Sequence, residues 1–224
     1  MHKLLEIVDN IVGALAILFS VLTPFLRPLR VRWGATDEDL RRSMPGDDLI
    51  KTSRWDYTHA VTIHAPTGEV WKWLVQIGQG RGGLYSYELL ENLIGCDIHN
   101  ADRILPEYQS LKVGDGIRLH PTMPALPVYA VEPERSFVLH GDGAVESGFP
   151  ALTWAFGLYP LDDHSTRLVS RLRSDYPMTR MSRLMNGPLL IEPIGFVMER
   201  RMLLGIKQRA ERAYRQAPAK AVTA

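Results

Sequence analysis

A chain of 224 residues with 46% apolar and 23% charged side chains can build one domain with a real core, and it is too polar overall for a bundle of membrane helices. Its 26 Lys and Arg against 25 Asp and Glu leave a formal charge of +1, without the cationic excess that drives phosphate-backbone binding, so no nucleic-acid partner is expected. The single cysteine, Cys96, excludes an intrachain disulfide and a multi-thiolate zinc site and suits a reducing compartment.

An uncharged run of 17 residues covers positions 10 to 26, carried by Ile11, Val12, Leu15, Ile17, Leu18, Phe19, Val21 and Leu22. At ~1.5 Å per residue such a helix reaches roughly 25 Å, short of a ~30 Å hydrocarbon core unless Ile7 and Val8 join it. No small-x-small cleavage signal follows; Pro24, Pro28, Arg27, Arg30 and Arg32 do, so residues 1–34 read as an uncleaved hydrophobic anchor helix contacting membrane lipid. Three Arg after the run against Lys3 before it place the rest of the chain on the cytoplasmic side. The alternative is a helix packed on the protein's own surface or lying in the interface plane, and the bland localisation is cytoplasmic.

Residues 35–56 are polar and broken by Pro45 and Gly46, which predicts a linker with one short helix begun by Thr36. The alternation of Tyr57, His59, Val61 and Ile63 against Thr58, Ala60, Thr62 and His64 predicts a strand and opens a domain over 57–216. Two short helices follow, one begun by Thr67 and stopped by Gly78, the other begun by Ser86 and stopped by Gly95. Short strands are expected at 117–120, 128–132, 136–140, 152–159 and 166–173, the last two joined by a hairpin at 162–165. After Pro193 the period becomes helical, with Met198, Met202, Leu203, Ile206, Ala210 and Ala213 on one stripe, and residues 217–224 read as a disordered tail.

Helices that do not alternate with strands cannot cross over between parallel neighbours, so the fold class is α+β with a curved antiparallel β-sheet. The element order, with GlnIleGlyGlnGlyArgGlyGlyLeuTyrSerTyrGluLeuLeuGluAsnLeuIleGly at 76–95 and AspIleHisAsnAlaAspArgIle at 97–104, resembles the SRPBCC superfamily of START-like, helix-grip proteins, and within it bacterial polyketide cyclase/dehydrase and lipid-transport-like proteins. The resemblance implies a sheet wrapped around the long C-terminal α-helix, with a hydrophobic cavity between them. It does not imply one reaction, because carriers, sensors and enzymes share the fold.

The GxGxxG string at 78–83 follows a helix instead of preceding one, so it reads as a helix stop and tight loop rather than a dinucleotide cradle; Arg81 within it is either a solvated cation or an anion contact. The density of Cys96, Asp97, His99, Asn100 and Asp102 is read as a structural loop with Asp102 paired to Arg103 instead of a metal site, and no cofactor is called. Glu88, Glu91 and Asn92 share one helix face. If that face turns inward, Glu88 or Glu91, with His99 or Asp102, are the candidate catalytic acids and bases; if outward, it is a solvated face. Tyr85, Tyr87, Trp154, Phe156, Met198, Met202, Leu203 and Ile206 are the candidate ligand-binding residues, in a wall enriched in methionine between positions 178 and 202. Arg167, Arg171 and Arg173 share the opposite strand parity, ordinarily a solvent face. The expected function is binding of a hydrophobic or amphipathic small molecule such as a lipid, polyketide or isoprenoid. The alternatives are an acid/base cyclase or dehydrase using the same cavity, and a membrane-tethered interaction module without ligand.

Overall fold

The computed structural model describes residues 2–143, 150–176, 179–180, 187 and 189–217. Met178, Met181 and Met185 of the methionine-enriched wall, and the tail from 218, lie outside the described residues.

Six antiparallel strands form one sheet in the order β1-β6-β5-β4-β3-β2. They are β1 (Trp55–Ile63), β2 (Gly116–Ile117), β3 (Leu126–Glu132), β4 (Ser136–Asp142), β5 (Ala151–Asp162) and β6 (Ser165–Asp175). β5 and β6 form the longest ladder, closed by a turn in which Asp162 Oδ1 accepts the His164 backbone N–H at 2.8 Å. The first strand pairs with the last, Tyr57 opposite Leu172 and Val61 opposite Leu168. Alternation then sorts the side chains: Phe137, Leu139, Trp154, Phe156, Leu158, Leu168 and Leu172 face the main core, while Ala60, Val138, Ala155 and Val169 face a smaller cluster on the other side.

The long helix runs over Ile191–Gln216 and lies in the concavity of the sheet, with Met202, Leu203, Ile206 and Ala210 buried against it. Of the shorter helices, α4 (Thr67–Leu74) has Pro66 at its N-cap, so Thr67 is the first helical residue instead of the cap. Helix α5 (Glu88–Leu93) is capped by the Tyr87 backbone, and Ser86, expected there, turns its hydroxyl to the Met198 carbonyl at 2.9 Å. The glycine string between them forms the tight loop expected. Gly83 has φ +80, and a Cβ there would stand 2.5 Å from Asn100 Oδ1, which leaves room only for glycine. Arg81 binds the carbonyls of Val75 and Ile77 and lies over the Tyr108 ring at 4.5 Å, so it closes the end of α4 and neither of its expected roles applies.

Two N-terminal segments depart from expectation. Residues 35–56 do carry the short helix expected from Thr36, α3 (Asp37–Arg41), opened by a Thr36 and Asp39 capping box, but the segment is no free linker and sits on the convex face of the sheet. The arginines assigned to solvent hold it there. Arg167 pairs with Asp39 at 2.6 Å, and the buried Arg171 reaches Asp47 at 2.7 Å, the carbonyls of Asp39 and Arg42, and the Thr58 hydroxyl. Burial raises the Asp39 pKa, but the Arg167 and Thr36 hydrogen bonds outweigh it and hold that carboxyl below its ordinary range.

Helix α1 (His2–Leu22) packs along the C-terminal helix and α5. Its polar positions turn inward: Asp9 pairs with Arg201 at 2.8 Å, Asn10 accepts the Leu90 N–H, and Gly13 lies so close to the Tyr87 ring that a Cβ would stand 2.8 Å from it. After Leu22 the chain turns through a 3-10 segment (Pro24–Leu26) into α2 (Arg27–Arg30), bent 93° from α1. Among the described residues no single helix is long and apolar enough to cross a membrane. The C-terminal helix is called α6 below.

Candidate functional site

An apolar cavity of about 270 Å³ opens between the concave sheet and the first half of α6. The sheet contributes Trp55, Tyr57, Leu126, Leu152, Trp154 and Leu172; α6 contributes Gly195, Met198, Glu199 and Met202; Leu84, Ser86 and Glu91 close the side nearest α5. Strand alternation and the i, i+3, i+4 spacing of α6 place these residues, and no glycine loop or metal is needed to gather them. Gly195 lies against the Trp55 indole, where a Cβ would make ordinary van der Waals contact at 3.4 Å.

Polar atoms at this cavity are few and underpaired. Glu91 is 4% exposed and its Oε2 has no hydrogen-bond partner; burial, with the nearby Glu88 charge, pushes its pKa up to about 7. Glu199 is buried at a neighbouring point of the wall, its Oε1 also lacks a partner, and burial alone drives its pKa well above the carboxylate range. The Trp55 indole N–H is likewise unpaired.

Behind Glu199 stands His59, 1% exposed and stacked on Tyr57 at 4.1 Å. Its Nε2 lies 2.9 Å from the Arg30 carbonyl, which can only accept, so that nitrogen carries the proton and Nδ1 is left as a bare acceptor. Burial lowers the His59 pKa to about 4, which keeps the ring neutral. Nδ1 faces Glu199 Oε1 at 3.7 Å, and neither atom has another partner. With both groups neutral this is an acid facing an imidazole lone pair, not an ion pair.

A long helix seated in the concavity of an antiparallel sheet, with a cavity along its first half, decides the architecture. It is a helix-grip fold. That is the fold the SRPBCC resemblance implies. No family model matches the chain, and no curated protein sequence matches it. Solved structures similar to it include the Zhui aromatase/cyclase from Streptomyces sp. R1128, at 16% identity and TM-score 0.38, covering 73% of this chain and 97% of that one. The Aha1 dimer from Colwellia psychrerythraea matches at 12% identity and TM-score 0.41, over 70% of this chain and 96% of that one. A polyketide-cyclase-like protein from Corynebacterium glutamicum matches at 17% identity and TM-score 0.37, over 70% and 91%. Likeness at this level carries nothing about what this helix-grip protein binds.

Of the eight expected ligand residues, Trp154, Met198 and Met202 line the cavity. Phe156, Leu203 and Ile206 are fully buried in the surrounding core, Tyr85 bonds Gln76 through its hydroxyl at 2.7 Å, and Tyr87 lies under α1. Of the four expected acids and bases, only Glu91 reaches the cavity. Glu88 accepts the Asn100 N–H at 2.8 Å, and Asn92 binds both the N–H and the carbonyl of Ile98, so the shared helix face divides between loop and cavity. His99 is exposed beside Asp97 and Glu88, and Asp102 meets Arg209 and Arg212 at 3.4 and 3.3 Å instead of Arg103. Among the described residues, no three His, Cys, Asp or Glu side chains converge as a metal site.

His59 and Glu199 carry sequence signals of burial. His59 shares the inward parity of Tyr57, Val61 and Ile63, and Glu199 precedes Met202, Leu203 and Ile206 by three, four and seven positions. A charged residue on an apolar stripe is the mark of a buried polar group with a task.

Proposed function

We propose that the cavity binds a small, largely apolar molecule bearing at least one hydrogen-bond acceptor, such as a carbonyl or ether oxygen. The observation that carries this reading is the presence of two buried carboxyls, Glu91 and Glu199, in a largely apolar wall, Glu91 with Oε2 unpaired and Glu199 with Oε1 turned to the His59 lone pair. A buried polar atom without a partner costs about 1–3 kcal/mol, and a ligand acceptor facing a protonated carboxyl recovers that loss. An anionic ligand group would meet these acids unfavourably, so the preferred ligand is neutral where it touches them. The volume suits a compact molecule, at or below the roughly 300–1,000 Å³ of typical ligand sites.

The test uses prodan, a neutral naphthyl ketone whose fluorescence reports an apolar site, alongside native mass spectrometry of material that copurifies. Prodan binding is expected, and Met198→Trp, which fills the cavity from one wall, should weaken it about tenfold or more while the variant stays folded. Unchanged affinity in folded Met198→Trp would place binding elsewhere.

A second reading, proton transfer to a bound substrate, is favoured by one specific arrangement: neutral Glu199 facing the bare Nδ1 of neutral His59, with Glu91 poised near 7. On this reading a copurifying molecule would be converted by the wild-type protein and spared by Glu199→Gln.

A further inference from the structure

The outer surface of α1 inverts the ordinary arrangement of a surface helix. Ile7, Val8, Ile11, Val12, Leu15, Leu18, Phe19 and Leu22 are each about half or more exposed, while Asn10, Gly13 and Ser20 are buried beneath them. The bend after Leu22 extends the strip with Phe25, 74% exposed, and Leu29, 71% exposed. An apolar surface of this continuity marks contact with another apolar phase.

At the seam behind the strip, where the end of α1 meets α6, is a notch of about 190 Å³ lined by Ala16, Phe19, Thr23, Arg30, Phe196 and Val197, with Arg200 beside it. Arg30 is 6% exposed there. Its Nη1 donates to the Thr23 carbonyl at 2.7 Å, but Nε and Nη2 have no hydrogen-bond partner. The adjacent carboxylate does not supply one: both Glu192 oxygens are taken by Arg27, at 2.7 and 3.0 Å. Glu192 is thus held by Arg27, Arg200 lies over the Trp33 ring at 5.2 Å, and the buried Arg30 keeps unused donors; such a cation calls for an oxyanion.

We propose that this notch holds the oxyanion head, phosphate or carboxylate, of a lipid at a bilayer surface, with the outer face of α1 lying in the plane of the membrane. Charge complementarity selects lipid over a second copy of the chain, since a copy would bring another uncompensated Arg30. The depth also fits. An in-plane helix sinks its apolar face about 5–10 Å, and a helix is about 10 Å across, so the seam behind α1 falls at headgroup level. The Asp9–Arg201 pair and the Asn10 contact keep α1 on the domain, so the helix lies on the membrane instead of crossing it. This inference is independent of the apolar cavity.

Flotation of the full chain with phosphatidylcholine vesicles, and with vesicles in which about one-third of the lipid is phosphatidylglycerol, reads both parts. Binding to both is expected, stronger to the anionic vesicles by about tenfold. The exposed pair Leu15→Glu with Leu22→Glu should abolish binding to either, and Arg30→Met should remove the anionic preference while leaving binding to phosphatidylcholine. Should Arg30→Met fail to fold, thermal shift of the wild-type chain decides: decyl phosphate below its micelle concentration should stabilise it, decanol and inorganic phosphate much less. Absence of vesicle binding, equal binding to both vesicle types, or equal shifts with decyl phosphate and decanol would overturn the proposal. Inorganic phosphate matching decyl phosphate would make this a free-anion site and overturn the lipid assignment, and a dimer dissolved by the two glutamates would show that a second copy covers the face.

Discussion

The two sides of one sheet carry most of their polar groups in different conditions, although Arg173 on the convex side also keeps an open Nε. On the convex face, Arg167 and Arg171 spend nearly every donor on Asp39, Asp47 and the carbonyls of the segment that covers them. In the concavity, Trp55 and His59 of β1, Glu91 of α5 and Glu199 of α6 each keep an atom that bonds nothing. Along β1 the contrast falls one step apart: the Thr58 hydroxyl accepts Arg171 on the convex side, while His59 Nδ1 stays open on the concave side. Completed pairing serves structure, and incomplete pairing in a buried wall reserves bonding capacity for a molecule that arrives later.

The sharpest way to break this comparison is Arg171→Met. It leaves Asp47 and two carbonyls without their donor, and a loss of about 3–5 kcal/mol is expected in denaturant unfolding, along with protease cleavage within residues 35–50. A loss under 1 kcal/mol would mean the convex network is ornamental. The concave acids should behave in the reverse sense. Burial pushes the Glu91 pKa up to about 7 from an ordinary 4.5, so the folded chain holds the extra proton between those values and stability falls as pH rises through that window. Glu91→Gln should remove the Glu91 part of this slope, with buried Glu199 still contributing in the same sense, and leave the variant roughly 2–3 kcal/mol more stable than wild type at pH 8 and close to it at pH 4.5. His59, lowered to about 4 from 6.5, adds the opposite trend: its contribution is present above 6.5 and lost as pH falls toward 4. Parallel pH profiles for wild type and Glu91→Gln would show that Glu91 is solvated. The smallest effect belongs to Asp102→Ala. Its carboxyl is 69% exposed and its arginine contacts are long, so a change below about 1 kcal/mol should sharpen the contrast with Arg171.

Local periodicity carried most of the architecture. The alternation at 57–64, the hairpin at 162–165 and the stripe from Met198 to Ala213 depend on neighbours a few positions away, and each appears in the fold close to where it was expected. What the sequence concealed were facts of tertiary partnership. Arg171 looks like a solvent residue by parity until a separate segment lands on it. Glu88 and Glu91 look alike on a helix wheel until Asn100 claims one and the cavity the other. Helix α1 misleads in a different way: hydropathy registers its apolar content, but only packing reveals that the polar side is the one turned inward.

The pairing of the chain's beginning with its end has a consequence in time. Asp9 finds Arg201 across 192 positions, and β1, made early, must wait for β6, its only neighbour in the sheet among the described residues. At ~5–20 residues per second of synthesis, that separation amounts to roughly 10–40 seconds during which the apolar strip of α1 has left the ribosome and α6 does not yet exist. Throughout that interval the nascent chain displays its most adhesive surface, so synthesis itself offers α1 its first opportunity to meet a membrane or a chaperone before its own domain can claim it.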